Sequence, residues 1–156
     1  MKKETIIGTL LGIIIGVISS NLIINKRTEK NNSKVYKFKS YYNLLNKWLL
    51  LLHDGKKIEI YLKNKGYKTI AIYGMGEIGN RLYEELKDSE IEVKYAIDKN
   101  PMVTYSGLNV KNLEDELEEV DVVVVTAVFM FETISEEIKG RLQCPIVSLE
   151  DIIFCI

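Results

Sequence analysis

Thr69-Ile-Ala-Ile-Tyr-Gly-Met-Gly-Glu-Ile-Gly79 is a short apolar run that feeds a glycine-rich turn and opens into a helix. Ile70, Ala71, Ile72 and Tyr73 read as a buried strand, and Ile78, Leu82 and Leu86 recur at helical spacing beyond the turn. Gly74, Gly76 and Gly79 stand at the G-x-G-x-x-G spacing of a dinucleotide-binding turn. In that motif the first glycine permits the tight turn, the second lets backbone approach a pyrophosphate, and the third lets helix and strand pack closely. The expected cofactor-binding segment therefore runs from Gly74 through Met75, Gly76, Glu77 and Ile78 to Gly79. Its free N–H groups at a helix N-terminus favour bound phosphate.

Such a turn also calls for an acidic residue about 20 positions on, at the end of the next strand, to bond a ribose hydroxyl. Val93 to Ile97 reads as that strand and Asp98 closes it. A carboxylate there favours NAD over NADP, because it repels a 2′-phosphate, although neighbouring Lys99 weakens the preference. The competing reading is a turn of the same shape with an empty site.

Downstream, Lys99, Asn100 and Pro101 mark a loop, and a short strand falls near Leu108 to Val110, with Tyr105, Ser106 and Gly107 marking a turn. Asn112 is placed to cap a short helix containing Leu113 and Leu117. Val120 to Val125 is a valine run broken only by Asp121, as expected of a central parallel strand covered on both faces. Ile134 to Leu142 reads as a helix, Pro145 to Leu149 as a last strand, and Glu150 to Ile153 as a terminal turn. The fold class is α/β, one doubly wound parallel five-stranded sheet of order 3-2-1-4-5. Its ligand crevice lies at the carboxyl ends of the first and fourth strands, at Gly74 to Gly79 and at Thr126 to Phe129.

Upstream, Phe38, Tyr41, Leu45, Trp48 and Leu52 give a helix with an aromatic and leucine stripe. Asp54 and Gly55 end it, and Ile58, Tyr61 and Leu62 place a second short helix before Gly66, a C-cap. The pair packs either on its own domain or on a partner. Lys26 to Lys34 is a basic linker.

Thr5 to Ile24 carries no charge and is long enough to cross a hydrocarbon core of about 30 Å as a helix. A cleaved signal peptide is the competing reading, but the apolar run continues past the small residues Val17 and Ser19. Lys2 and Lys3 precede the segment, whereas Lys26, Arg27, Lys30, Lys34, Lys37 and Lys39 follow it, so the positive-inside rule puts the C-terminal side in the cytoplasm. Gly8, Gly12, Gly16 and Ser20 line one face, and one reading of that spacing is a homo-oligomer. The sequence thus divides into a membrane anchor (1–25), a linker with amphipathic helices (26–66) and a nucleotide-binding domain (67–156).

The 156 residues are 47% hydrophobic with a formal net charge of −1, so the overall balance does not suggest nucleic-acid binding. Cys144 and Cys155 are the only cysteines and fit no metal-ligand spacing. His53, the only histidine, rules out multi-histidine metal sites. Tyr83 with Lys87, and Tyr61 with Lys65, match the Tyr-x-x-x-Lys pair of short-chain dehydrogenases, but neither lies downstream of the fourth strand where that chemistry is carried out. No catalytic residues are assigned.

With Ile70 to Gly79 followed by Tyr-Ala-Ile-Asp-Lys-Asn-Pro at Tyr95 to Pro101, the sequence resembles the Rossmann module of bacterial nucleoside-diphosphate-sugar epimerase and dehydratase relatives. It is also similar to the CoA-binding-like modules attached to surface-polysaccharide enzymes. The likeness spans about Gly66 to Ile153. It implies that Gly74, Gly76 and Gly79 face phosphates, Asp98 a ribose and Thr126 the pocket edge, with NAD, a nucleotide-sugar or CoA as ligand. The epimerase tyrosine and lysine, and a second lobe, have no counterpart here. The expectation is therefore a single-pass membrane protein whose cytoplasmic module binds a nucleotide and serves a polysaccharide-biosynthesis enzyme as accessory or regulator. The alternatives are an NAD-dependent epimerase or reductase completed by a partner subunit, and a structural membrane adaptor with an empty site.

Overall fold

The computed structural model describes residues 2–100 and 107–156; within the first helix, side chains are described at residue 24 and from residue 26 onward. Helix α1 is Lys2–His53, α2 Ile58–Asn64 and α3 Glu77–Leu86, with α4 at Phe131–Lys139 and α5 at Leu149–Cys155. Strands β1 to β5 are Thr69–Tyr73, Glu92–Ile97, Val110–Lys111, Val122–Val125 and Ile146–Ser148. The chain divides into two compact units, Met1–Asn43 and Leu44–Ile156, so the second takes in the last turns of α1 as well as α2. Among the described residues no helix is long and apolar enough to cross a membrane. Of the expected span at Thr5 to Ile24, with its glycine face, only the backbone, as part of α1, and the Ile24 side chain are described.

The sheet is parallel throughout, in the order β3-β2-β1-β4-β5 that the sequence leads one to expect. Tyr73 pairs with Ile97 on one side and Val125 on the other, which brings the ends of β1, β2 and β4 level. Ile70 to Tyr73 and Val122 to Val125 are all buried, as strands covered on both faces must be. One face presents Ala71, Tyr73, Tyr95, Ile97, Val123 and Val125 to Ile134 and Ile138 of α4. Strand alternation turns Ile70, Ile72, Val122 and Val124 the other way, toward the side of α3.

Three sequence expectations need correction. Asn112 does not start a helix. The Asp115 carboxylate accepts from the Asn112 N–H at 2.8 Å, and the Lys111 ammonium donates to the Glu116 carbonyl at 2.9 Å. The Asp115 bond is one a helix start could also make, but winding the segment up would set Glu114 against Glu118 and Asp115 against Glu119, like charges four residues apart. Leu113 and Leu117 still pack on the sheet. On α1 the buried stripe is Leu44, Trp48 and Leu51, while Phe38, Leu45 and Leu52 are exposed. In a stretch with leucine at 44, 45 and 49–52, two faces satisfy the same period, and only packing chooses between them. Residues 149–155 form a helix rather than a turn, because the Ser148 hydroxyl accepts from the Glu150 N–H at 3.2 Å.

Two carboxylates lock the pieces together. Glu85 on α3 accepts from the Trp48 indole N–H at 2.6 Å and from the Ile58 N–H at 2.8 Å. It joins the end of α1 to α3 and supplies the cap that the first turn of α2 lacks. Asp121 interrupts the valine run because its carboxylate accepts from the Lys68 and Thr69 N–H groups, both at 2.8 Å, and fixes where β1 begins beside β4. Those two bonds hold the Asp121 carboxyl below its ordinary value.

Glu85→Ala is expected to lower unfolding free energy by about 2 to 3 kcal/mol, with Glu85→Gln keeping part of it. The check is urea unfolding followed by fluorescence of Trp48, the only tryptophan. Asp121→Ala should cost about 1 kcal/mol at neutral pH, since the group is exposed and solvent screens it. Because the folded state depresses this carboxyl, its stabilisation is present above the unfolded value of about 4 and lost as pH falls through the folded one. Wild-type and Asp121→Ala stabilities should therefore converge in acid titrations as pH falls below the unfolded value of about 4.

Candidate functional site

The turn after β1 is built by close approach. Gly74 has φ +96°, a left-handed conformation that favours glycine, and a Cβ there would meet the Thr126 hydroxyl oxygen at 2.9 Å. Gly79 is more constrained still, since a Cβ on it would lie 2.0 Å from the Gly74 carbonyl oxygen. Helix α3 can therefore start against the turn only because position 79 has no side chain. Gly76 differs from both. Its φ is −74°, and a Cβ built there meets nothing within 4 Å.

Thr126, at the end of β4, is buried and donates its hydroxyl to the Gly74 carbonyl at 2.5 Å. It clamps the turn from behind. Asp98, at the end of β2, accepts from the Met75 N–H through Oδ2 and from the Asn100 N–H through Oδ1, each at 2.8 Å. The Gly74 N–H donates to the Ile97 carbonyl at 2.8 Å. The turn is thus held by the ends of both neighbouring strands. Each Asp98 oxygen keeps a further lone pair, so bracing the turn leaves capacity to accept from a ribose hydroxyl.

These contacts separate the expected binding residues by role. The Met75 side chain is buried and its N–H is committed to Asp98. Ile78 faces inward with its side chain nearly covered. Gly76, Glu77, Ile78 and Gly79 form the N-terminal edge of α3, and no side chain caps that helix. Its first-turn N–H groups have no partner within the helix. Glu77 is exposed in the same turn, where its charge suits the helix dipole and opposes an incoming phosphate. Asn80, which motif spacing did not single out, donates its amide to the Met75 and Gly76 carbonyls at 3.2 and 3.0 Å. An amide one residue past the last glycine is the only trace of this brace in the sequence.

Two cavities open near the ends of the neighbouring strands, and no residue of the turn lines either. One, of about 300 Å³, begins two residues after Thr126 and is lined by Val128 to Thr133, Ser148, Glu150 and Asp151. The other, of about 640 Å³, begins just after Asp98 and is lined by Lys99, Asn112, Leu113, Glu137 and Arg141 among others. Tyr73 is buried under the turn, and burial together with Glu137 and Asp98 pushes its hydroxyl above the ordinary value. Of the two Tyr-x-x-x-Lys pairs, Tyr83 and Lys87 each have another partner. Tyr83 donates to the Gly107 carbonyl at 3.1 Å while Lys87 pairs with Glu84 at 2.7 Å. The Lys65 ammonium lies 5.7 Å from the centre of the Tyr61 ring. Among the described residues no cluster of histidine, cysteine or carboxylate side chains could hold a metal ion.

No protein family, curated protein or solved structure matches the chain.

Gly79→Ala is expected to cost about 3 kcal/mol, an overpacking against backbone that cannot yield. Gly76→Ala should change stability by less than about 1 kcal/mol. Thermal unfolding of the two variants beside wild type measures the contrast.

Proposed function

We propose that this chain is a Rossmann-like nucleotide-binding module, tethered to the membrane by its N-terminal segment. The observation that carries the reading is Gly76. Neither backbone conformation nor neighbouring atoms demand glycine there, whereas both Gly74 and Gly79 are needed to build the turn. A residue that leaves space open beside an uncapped helix N-terminus suits the approach of a phosphate group.

In this reading the pyrophosphate sits on the N–H groups at the start of α3. Asp98 accepts from a ribose hydroxyl with its remaining lone pairs, and the ligand runs across the carboxyl ends of β1 and β4, where the order of strand connection reverses. Thr126 and Asn80 hold the turn in shape and make no direct contact. The ligand class is NAD, a nucleotide-sugar or CoA. The likeness to nucleoside-diphosphate-sugar epimerase relatives supports a place beside surface-polysaccharide enzymes, as an accessory or regulatory subunit on the cytoplasmic side. The acidic lining of the smaller cavity, with Glu132, Glu150 and Asp151, suits a neutral or cationic portion of the ligand rather than a second phosphate.

The test is thermal stabilisation of the full chain in detergent by NAD, NADH, NADP, CoA and nucleotide-sugars. A ligand at 100 times its dissociation constant should add about 2.7 kcal/mol of stability. Gly76→Val should remove that shift while leaving the unliganded transition in place, because its side chain enters the open space. Asp98→Ala is the poorer probe, since it also releases the Met75 N–H. If no ligand shifts the transition, or if the shift survives Gly76→Val, the binding reading fails.

A further inference from the structure

The larger cavity, of about 640 Å³, opens past Asp98 and has the size of pockets that take small ligands. Lys99 and Asn112 line it just after β2 and β3, Leu113 adds an apolar surface, and Glu137 and Arg141 line it from α4 and just beyond. Most of its charged groups are committed to partners nearby. Arg141 is bonded to Glu114, and Asp115 accepts from the Asn112 N–H at 2.8 Å. Lys99 and Glu137 are the exception. Their ammonium and carboxylate stand 4.0 Å apart, too far for a hydrogen bond, and the two side chains are 65% and 37% exposed. A donor and an acceptor thus lie side by side in the lining with their bonding capacity kept.

Tyr73 shows that Glu137 lies near Asp98. Its hydroxyl is buried and makes no hydrogen bond, and it is held above its ordinary value by burial first and then by the Glu137 and Asp98 carboxylates. Both acids therefore lie close to one point, and Lys99 follows Asp98 directly in the chain. A ribose on Asp98 has its base one glycosidic bond away, within reach of Lys99 and Glu137.

We infer that this cavity receives the base of the bound nucleotide and selects guanine, which makes the ligand a guanosine diphosphate compound such as a GDP-linked sugar. The inference rests on the nucleotide-binding reading above. Guanine presents its O6 acceptor beside two adjacent donors, the N1–H and the N2 amino group, so Lys99 donates to O6 while both Glu137 carboxylate oxygens accept. No other common base offers a carboxylate two adjacent donors. Uracil matches at O4 and N3–H but turns its O2 acceptor toward the second oxygen. Adenine and cytosine offer one amino group beside a ring nitrogen acceptor, which counts against NAD and CoA. Leu113 gives the ring apolar contact. The sugar end then crosses β4 toward the smaller cavity, where Glu132, Glu150 and Asp151 can accept from neutral sugar hydroxyls.

Calorimetric titration of the full chain in detergent with GDP, IDP, UDP and ADP is the test. GDP should bind at least about tenfold more tightly than the other three, IDP included, since hypoxanthine lacks only the N2 amino group. Glu137→Ala should bring GDP to within about threefold of IDP without moving the unliganded unfolding transition, because the side chain lies outside the core. Lys99→Ala should weaken GDP and IDP alike and keep their ratio. The inference is overturned by UDP or ADP binding as tightly as GDP, or by a GDP preference over IDP that survives Glu137→Ala. A ratio lost equally in Lys99→Ala would also overturn it. If none of the four binds, the inference falls, and the nucleotide-binding reading falls with it only if NAD, CoA and nucleotide-sugars also fail to bind.

Discussion

The approach of Gly79 to the Gly74 carbonyl is the constraint on which the site depends. With a hypothetical Cβ only 2.0 Å from that oxygen, α3 can begin where it does only with glycine at position 79. The direction of α3 follows from that contact, and with it the direction of its first-turn N–H groups. Everything else around the turn reinforces the same geometry. Thr126 holds the Gly74 carbonyl from β4, Asp98 holds the Met75 N–H from β2, and Asn80 holds two carbonyls from α3. Three separate elements thus specify one short loop, which is what a preformed binding turn requires.

A second set of polar contacts does for the domain what these do for the turn. Glu85 gathers α1, α2 and α3 through one carboxylate, and Asp121 sets the register of β1 against β4 through another. Both accept from backbone N–H groups, Glu85 at the start of α2 and Asp121 at the start of β1. The apolar core supplies most of the driving force but is not directional. These carboxylates select which strand ends lie level, and so bring Gly74, Asp98 and Thr126 together. Helices α1 and α2 end alike, with Lys56 and Tyr67 donating to the Leu51 and Leu62 carbonyls three residues before each helix cap, so their joints are equally well defined.

The distribution of apolar surface gives the molecule its second character. Strands β1 and β4 bury every apolar residue they contain, whereas α1 leaves Val35, Tyr36, Phe38, Tyr42, Leu45, Leu49, Leu50 and Leu52 exposed. An ordinary solvent-facing helix would carry polar residues at those positions.

The sequence by itself determined the sheet order, the glycine turn and the acid that closes β2, because each rests on local pattern: continuous apolar runs, punctuation by glycine, and spacing along one chain. Motif spacing also assigned a separate reason to glycine at 74, 76 and 79: a tight turn, an approach to phosphate and close helix–strand packing. Tertiary structure supplied the contacts, since only neighbouring atoms show that 74 and 79 are crowded while 76 is open. It likewise decided which leucines of α1 are buried, because a run of leucines satisfies the helical period on two faces at once. The failed helix after Asn112 was hidden for a related reason. Its apolar spacing was present, but Leu113 and Leu117 pack on the sheet without a helix, and that outcome is set by where the sheet lies. Periodicity records which side chains seek burial; the partner that satisfies a particular N–H or carbonyl is fixed only when distant segments meet.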